Sequence, residues 1–580
     1  MMTTNPFADP LAVKKTGSHY TPTILAEFVA QQIVTLWTAE QPVATVRVID
    51  PALGDGELLL ALIRALHKAH KMPVHAYGFD TNRTAIELSK ARIVSSFPDL
   101  PNTFACIDFL NFATSMSDDL FGTNPLINSY PIDYDIVIAN PPYVRTQVMG
   151  AQQSRKLAVK FGLSGRVDLY YAFIYGISRI LRPRGIAGII VSNRFMTTKS
   201  GISVRAHIAD KFDILHIWDL GDTQLFNAAV LPAVLLLRKK DSKGGTDFRG
   251  RAHFTSIYSI NNHSQKLRCK DPISALLEDG VVETLDGKRY HVQHGELDFG
   301  VNPRNVWRIS TEAKDEWLSQ VENFTHCCFG DVGKIRVGVK TTADKVFIRS
   351  DWNDMPEEER PELLRLLTTH HMARRYKPLI LDKPWQILYT HEVIRRKRKA
   401  VNILESPKAL RYLNQHRSVL ESRRYVLDAG RNWFEIWVPQ DPDSWSKHKI
   451  VFRDISDKPV FWMDVEGSVV NGDCYWLMPK HEEDSDLLWL ALAVGNSSFI
   501  EAYYDHCFNN KLYAGRRRFI TQYVEKFPIP VPDSDLGNRI IQITKQIYSL
   551  IPSPEVKTLE AKLDQLIWEA FGFSVEEVAG

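Results

Sequence analysis

Four short apolar runs near the start of the chain constrain the fold more than anything else in it: TVRVID (45–50), HAYGFD (75–80), TFACIDF (103–109) and YDIVIAN (134–140). Each has the length and residue types of a strand, and each stops on or beside a carboxylate or an amide. Segments long enough for helices separate the first three, which is the pattern of strand–helix–strand units in a parallel sheet. GIAGIIVSN (185–193), ILHIWDL (214–220) and AVLLLRK (233–239) are three further strand candidates. The last two are joined by a segment without helical patterning, so an antiparallel pair closing the sheet is expected. Ahead of the first strand, TPTILAEFVAQQIVTLW (21–37) predicts a helix with Pro22 in its first turn and an apolar face on Ile24, Leu25, Phe28, Val29, Gln32 and Trp37. The fold class read from this pattern is α/β, doubly wound.

Beyond Lys240 the stretch DSKGGTDFRGR (241–251) is polar and glycine-containing, a boundary signal. The organisation expected is a first domain over 1–240, a connector over 241–330 with no clear pattern, and a mixed α+β domain over 331–535. A helical segment over 536–580 should pack on that second domain, with Leu559, Leu563, Leu566 and Ile567 on one face. Net charge is +3 for the chain, +5 over 1–240 and −2 over the rest, so bulk charge does not decide for or against a polyanionic partner. No apolar run is long enough to span a bilayer and the start MMTTNPFADPLAVKK carries no signal pattern, so a cytoplasmic protein without a membrane partner is expected. The six cysteines lack zinc-ligand spacing, which favours a reduced, metal-free interior.

The chemistry concentrates at the ends of the strand candidates. Asn140-Pro141-Pro142-Tyr143 ends a buried strand on an amide, then removes two backbone donors and fixes φ twice, then presents a ring. In open α/β sheets that carboxyl edge is where ligands sit, although an isolated NPPY also reads as a strand exit capped by Asn140. The first strand runs into DPALGDG, where Gly54 and Gly56 permit a tight turn and a close backbone approach. Asp50 and Asp55 would repel a pyrophosphate there and welcome a cationic amine or sulfonium. Asp80 ends the second strand at the place suited to ribose hydroxyls, and Asp108 with Phe109 ends the third where an adenine ring could be held. Singly, each of these acids also serves as a helix cap; together, followed by NPPY, they are hard to explain by capping.

This constellation resembles the S-adenosylmethionine-dependent methyltransferases, and its order matches the gamma, TaqI-like type of amino-methylating DNA methyltransferases. The resemblance implies a Rossmann-like catalytic domain over 1–240 and a target-recognition domain over 331–535. It also implies S-adenosyl-L-methionine as cofactor, no metal, and transfer to the N6 amino group of a flipped-out adenine in double-stranded DNA. Tyr20 and Thr21 in TGSHYTPTILAEF match the segment that holds the cofactor's methionine moiety. DPALGDG, with Asp50, Pro51, Ala52, Gly54 and Gly56, matches the cofactor loop, although Leu53 stands where a small residue or Cys is usual. Asp80 matches the ribose acid and Asp108 with Phe109 the adenine contacts. The catalytic segment is Asn140, Pro141, Pro142 and Tyr143, with Tyr143 stacking on the target base together with Phe226 of LFNAAVLPAVLLLRK.

In the second half, RVGVKTTADKVFI (336–348) and NNKLYAGRRRFITQYVEKFPIP (509–530) look like recognition-domain segments. Lys511, Arg516, Arg517 and Arg518 are the expected DNA contacts, and RRKRK (395–399) is either a further phosphate contact or a solvated face. The alternatives are methylation of guanine N2 in RNA or of glutamine amides in proteins, transfer to cytosine N4, a fused endonuclease–methylase, and a non-catalytic DNA-binding protein on the same fold. With a first cofactor-like motif beginning by residue 14, a preceding fused nuclease is not expected. A separate cognate restriction endonuclease, or none, and a monomeric enzyme are expected.

Overall fold

A computed structural model of the chain describes residues 21–37, 45–69, 72–118, 129–143, 151–163, 168–226, 231–241, 252–260, 267–300, 302–481, 485–508 and 516–574. Tyr20 and Lys511 lie outside the described residues. The chain divides into two units, residues 1–312 and 313–580.

In the first unit helix α1 (Thr23–Leu36) precedes β1 (Val46–Asp50), α2 (Glu57–Ala69), β2 (Val74–Asp80), α3 (Arg83–Ser96), β3 (Asn102–Cys106), α4 (Phe109–Asp118) and β4 (Tyr134–Ala139). Then come α5 (Ala151–Phe161), α6 (Leu169–Ile180), β5 (Leu181–Ser192), α7 (Ile202–Lys211), β6 (Phe212–Asp219) and β7 (Pro232–Lys239). Strands β8 (His253–Ser259), β9 (Leu267–Cys269), β10 (Gly280–Thr284), β11 (Arg289–Asp298) and β12 (Arg308–Ser310) complete one twelve-stranded sheet. Its order is β3-β2-β1-β4-β5-β7-β6-β8-β11-β10-β9, with β12 paired to β11. Strands β1 to β5 run parallel where they pair, with Asp50 beside Gly78 and Val48 beside Ile136. The chain moves outward from β1 to β3 and returns to β4 on the other side of β1, which makes that junction the switch point of the sheet.

Strand β4 is buried along its whole length because the sheet is covered on both faces. Ile136 and Ile138 join the core under α1 and α2, while Val137 and Ala139 join the opposite core under α4 and α6. Helix α1 buries Leu25, Ala26, Val29, Ala30, Ile33 and Val34, one helical step round from the face expected, with Gln32 at its margin.

Two sequence expectations need correction. β7 pairs antiparallel with both β5 and β6 but lies between them, and β6 goes on to pair in parallel with β8, so the pair does not close the sheet. The region read as a connector is likewise part of that sheet: strands over 253–310 extend it, and the first unit runs to residue 312. Among the described residues only a four-residue helix, Pro272–Ala275, lies between these strands, so the strand–helix rhythm that marked β1 to β4 is missing there. A hairpin signal was present in Asp286-Gly287, with Gly287 at φ +79°, between β10 and β11.

The second unit is built on a four-stranded antiparallel sheet of Gly333–Val337, Cys474–Pro479, Lys449–Arg453 and Phe461–Asp464. Phe452 and Phe461 face a core formed with helices Ser485–Gly495, Ser498–Phe508, Asp535–Leu550 and Val556–Ala570. Val451 and Trp462 face a second core with Trp352, Tyr389 and Trp445. The C-terminal helices thus belong to the unit's own core, through Leu563, Leu566 and Ile567, with Leu559 packed at its edge.

Candidate active site

Because β1, β2, β4, β5 and β6 share one direction, their final residues line one edge of the sheet. At the end of β4 the Asn140 amide is held from both sides. Its Nδ2 donates to Thr21 Oγ1 at 3.0 Å, and its Oδ1 accepts from the Tyr143 hydroxyl at 2.9 Å. The two prolines between them make the turn stiff enough for Tyr143 to fold back on Asn140. Tyr143 meets Tyr170 of α6 edge-on, with centroids 6.4 Å apart and planes at 71°, and Tyr170 donates to the Ser192 carbonyl at the end of β5. Burial pushes the Tyr143 phenol far above its ordinary range, so it stays a donor at neutral pH.

The loop after β1 is fixed by the neighbouring strand. Leu53 N–H donates to the Phe79 carbonyl at 2.9 Å, and Gly54 N–H to Asp80 Oδ2 at 2.9 Å. Gly54 and Gly56 take φ of +54° and +78°, a region that strains any residue with a Cβ. Asp80 Oδ1 accepts from Asn82 N–H at 2.8 Å, so each carboxylate oxygen has spent one acceptor position and keeps another. Leu53, larger than the resemblance calls for, is accommodated by Gly78 on β2: a Cβ there would lie 2.6 Å from Leu53 Cδ2.

Asp50 is 1 % exposed, and its Oδ1 accepts from Ala52 N–H at 2.9 Å. Its Oδ2 is buried, with no hydrogen-bond partner among the described residues. Burial raises its pKa to about 8; the Ala52 N–H opposes this, and the charges of Asp80 and Asp55 add to it. The sequence pattern groups Asp55 with Asp50 as a charge facing a ligand. The structure instead pairs it with Arg92 of α3 at 3.0 Å, and Arg92 also reaches Glu57, so its charge is answered within the fold.

Other expected site residues are placed differently. Asp108 caps α4: Oδ1 accepts from the N–H groups of Leu110 and Asn111, and Oδ2 from the Asn111 side chain. The Phe109 ring is 2 % exposed and packs on Phe173, so it offers no open face for an adenine, although its N–H stands in the first turn of the helix where no intrahelical acceptor exists. Phe226 is 7 % exposed and belongs to the core, so stacking on a target base is not open to it in this conformation.

The same edge carries a buried polar cluster that the strand-end motifs do not include. Asn193 Nδ2 donates to Asp219 Oδ1 at 2.9 Å, and the Tyr258 hydroxyl donates to Asp219 Oδ2 at 2.7 Å. Burial lifts Asp219 to about 6, against the pull of its hydrogen bonds from Tyr258, Asn193 and Gly221. A signal for it exists in the sequence: IIVSN and HIWD end apolar runs on polar side chains just as VRVID does.

In the second unit, Arg517 lies on Asp505 through two bonds of 2.8 Å and on the Asp457 carbonyl. Arg518 lies on Asp454 through bonds of 3.0 and 3.3 Å. These are internal ties holding Arg517–Arg518 against Ile455–Ser456, so both guanidinium groups already face carboxylates within the fold, which weighs against their reading as phosphate contacts. Arg516 remains exposed, with a loose approach of 3.4 Å to Asp457.

Residues 75–226 match the family of Eco57I restriction-modification methylases, and residues 386–529 match the TaqI-like C-terminal specificity domain. Type II methyltransferase M.BanIII of Aneurinibacillus aneurinilyticus is 38% identical over 573 residues, covering 96% of this chain and 97% of its own. The chain belongs to the type II DNA methyltransferases of restriction-modification systems. Type II methyltransferase M.PaeR7I of Pseudomonas aeruginosa is 22% identical over 100% of this methyltransferase and 95% of its own length. The fold of the DrdV–DNA complex is similar, with a TM-score of 0.53 at 11% identity over 93% of this chain and 58% of that one.

S-adenosyl-L-methionine is the cofactor of this methyltransferase. The residues present fit it: Asp50 holds a buried, unpartnered carboxylate oxygen suited to an ammonium group, and Asp80 keeps acceptor capacity for a diol. No helix among the described residues is long and apolar enough to cross a membrane, and the six cysteines form no disulfide.

Proposed function

We propose that this methyltransferase modifies the N6 amino group of an adenine flipped out of duplex DNA, with Asn140 as the residue that prepares the amine. The observation that supports this is the two-sided hold on the Asn140 amide. A carbonyl oxygen can accept two hydrogen bonds, so the one from Tyr143 is compatible with a second from an N–H of the base. Thr21 prevents the amide from turning over, so the acceptor keeps its place. With the Pro141 carbonyl taking the other N–H, the nitrogen lone pair is drawn out of conjugation and becomes a usable nucleophile. The cofactor supplies an electrophilic methyl group on a sulfonium.

No base is needed before attack. The Asn140 amide and the protonated Tyr143 phenol cannot take a proton at neutral pH, so the extra proton leaves the amine after transfer, to water. Tyr143 is also the aromatic group on which the base would stack, its ring steadied edge-on by Tyr170. Asp50 would hold the cofactor's ammonium, and Asp80 the ribose. The backbone of Pro51, Ala52, Gly54 and Gly56 would lie along its length, the Phe109 N–H would meet the adenine, and Thr21 would close the methionine end. Asn at position 140 favours adenine over cytosine N4, for which Ser is usual in the resembling enzymes. The relatives that match end to end are named as methyltransferases alone, which is in keeping with a separate endonuclease partner; a monomeric enzyme acting in the cytoplasm is part of the same proposal.

Strand-specific sequencing of modified bases in DNA from cells expressing the protein tests the assignment. N6-methyladenine at one short motif is expected. Methylation on cytosine N4, with adenine untouched, would overturn it.

A further inference from the structure

The basic run 395–399 is the tip of a two-stranded hairpin. His391–Ile394 pairs with Lys397–Ala400, and Arg395 and Arg396 are the only residues between the two strands. Both have positive φ, 49° and 62°. That backbone is the province of Asn-Gly in two-residue hairpin turns, and arginine adopts it at a cost. Strain of this kind persists where something other than stability is served.

The stalk is firmly set in the second unit. His391 is buried at its base beside Glu435, Val401 N–H bonds to the Thr390 carbonyl, and Arg398 donates to the Gln440 carbonyl. Alternation then places His391, Val393, Arg398 and Ala400 on the inward face, and Glu392, Ile394, Lys397 and Lys399 on the outward one. Residues 394–399 are all exposed, with Ile394 at 40%. No ion pair among the described residues engages Arg395, Arg396, Lys397 or Lys399, in contrast to Arg517 and Arg518, whose guanidinium groups are spent on carboxylates.

The structure assigns this hairpin as a DNA-docking finger: its strained tip carries Arg395, Arg396 and Lys397 onto backbone phosphates flanking a groove, while Ile394 makes the apolar contact between them. A two-stranded ribbon has the width that a DNA groove admits, and an apolar side chain among cations suits a groove wall. The inference rests on the reading of duplex DNA as the substrate. It adds where the positive charge that binds DNA is displayed, and it moves that role away from residues 517 and 518.

The test uses Arg395→Asn with Arg396→Gly in the full chain. This pair installs the residues the turn geometry prefers and removes two cations, so stability and DNA binding should move in opposite directions. Thermal unfolding should hold or rise, while affinity for a mixed-sequence duplex falls. The dependence of log affinity on log salt should flatten by about two, one for each phosphate that is no longer neutralised. Turnover should fall through a raised KM for DNA, with kcat kept at saturating DNA. Lys397→Gln, which leaves the turn untouched, should flatten the slope by about one and covers the case in which the first variant fails to fold. Unchanged affinity and salt slope in folded variants would overturn the docking assignment while leaving DNA methylation in place. If the unaltered protein neither binds nor methylates duplex DNA, the functional reading itself fails.

Discussion

Cofactor uptake should expel a proton from Asp50. In the free protein this carboxyl is raised to about 8 by burial, with Asp80 and Asp55 adding to the rise. At pH 7 a group with that pKa is protonated in about nine molecules of ten. A cofactor ammonium placed against the unpartnered Oδ2 favours the ionised form and draws the pKa down. The complex therefore binds fewer protons than the free protein, and affinity rises with pH. The rise should be nearly tenfold between about pH 6 and 7, levelling off near 8. Titration calorimetry at pH 7 in buffers of different ionisation enthalpy should report release of about 0.9 proton per cofactor bound. Asp50→Asn, which has no proton to lose, should bind more weakly and without that pH dependence. No proton release by the unaltered protein, or equal release by the Asn variant, would refute the reasoning.

Asn140→Ala should leave cofactor and DNA affinity nearly intact and cut kcat by about a hundredfold or more, as loss of a group that acts mainly in the transition state does; single-turnover kinetics decides. Arg517→Ala should lower unfolding free energy by roughly 2 kcal/mol, since Asp505 would be left half-buried without its cation, and it should leave the salt dependence of DNA binding unchanged. Asp219 is raised to about 6 in the fold, so between about pH 4 and 6 the native state holds a proton that the unfolded chain has released. That contribution favours the fold at low pH and is lost as pH rises through 6. Denaturant unfolding at about pH 5 and 7.5 should show it as about 1.4 kcal/mol, absent in Asp219→Asn. Gly78→Ala should destabilise by about 1–3 kcal/mol through its clash with Leu53, and Leu53→Ala in the same chain should relieve most of that loss, a coupling that a double-mutant cycle measures.

The strands around the switch point are legible in the sequence because each carries its own evidence: an apolar run, a polar terminus and a helix-length spacer. NPPY is legible for a related reason, since two prolines after a buried strand leave the backbone few alternatives. Arg92 is not, because nothing local marks an exposed-looking helix arginine as the partner of Asp55 and Glu57 across the loop. Arg517 and Arg518 mislead for the same reason in reverse: a basic run signals charge, but which carboxylates meet it is decided by packing between distant segments. The insertion of β7 between β5 and β6 is likewise a matter of long-range pairing, which hydrophobic pattern does not encode.

The contact between Leu53 and Gly78 ties the history of the cofactor loop to that of the neighbouring strand. With leucine at 53, a side chain added at 78 meets its Cδ atoms within 3 Å, so one of the two must give way at a cost in stability. A lineage returning to a small residue at 53 would lift that constraint, whereas one that keeps leucine would not. The loop is therefore not a portable cassette: moved into a relative with a side chain at position 78, it would arrive with an overlap that its own sequence does not reveal.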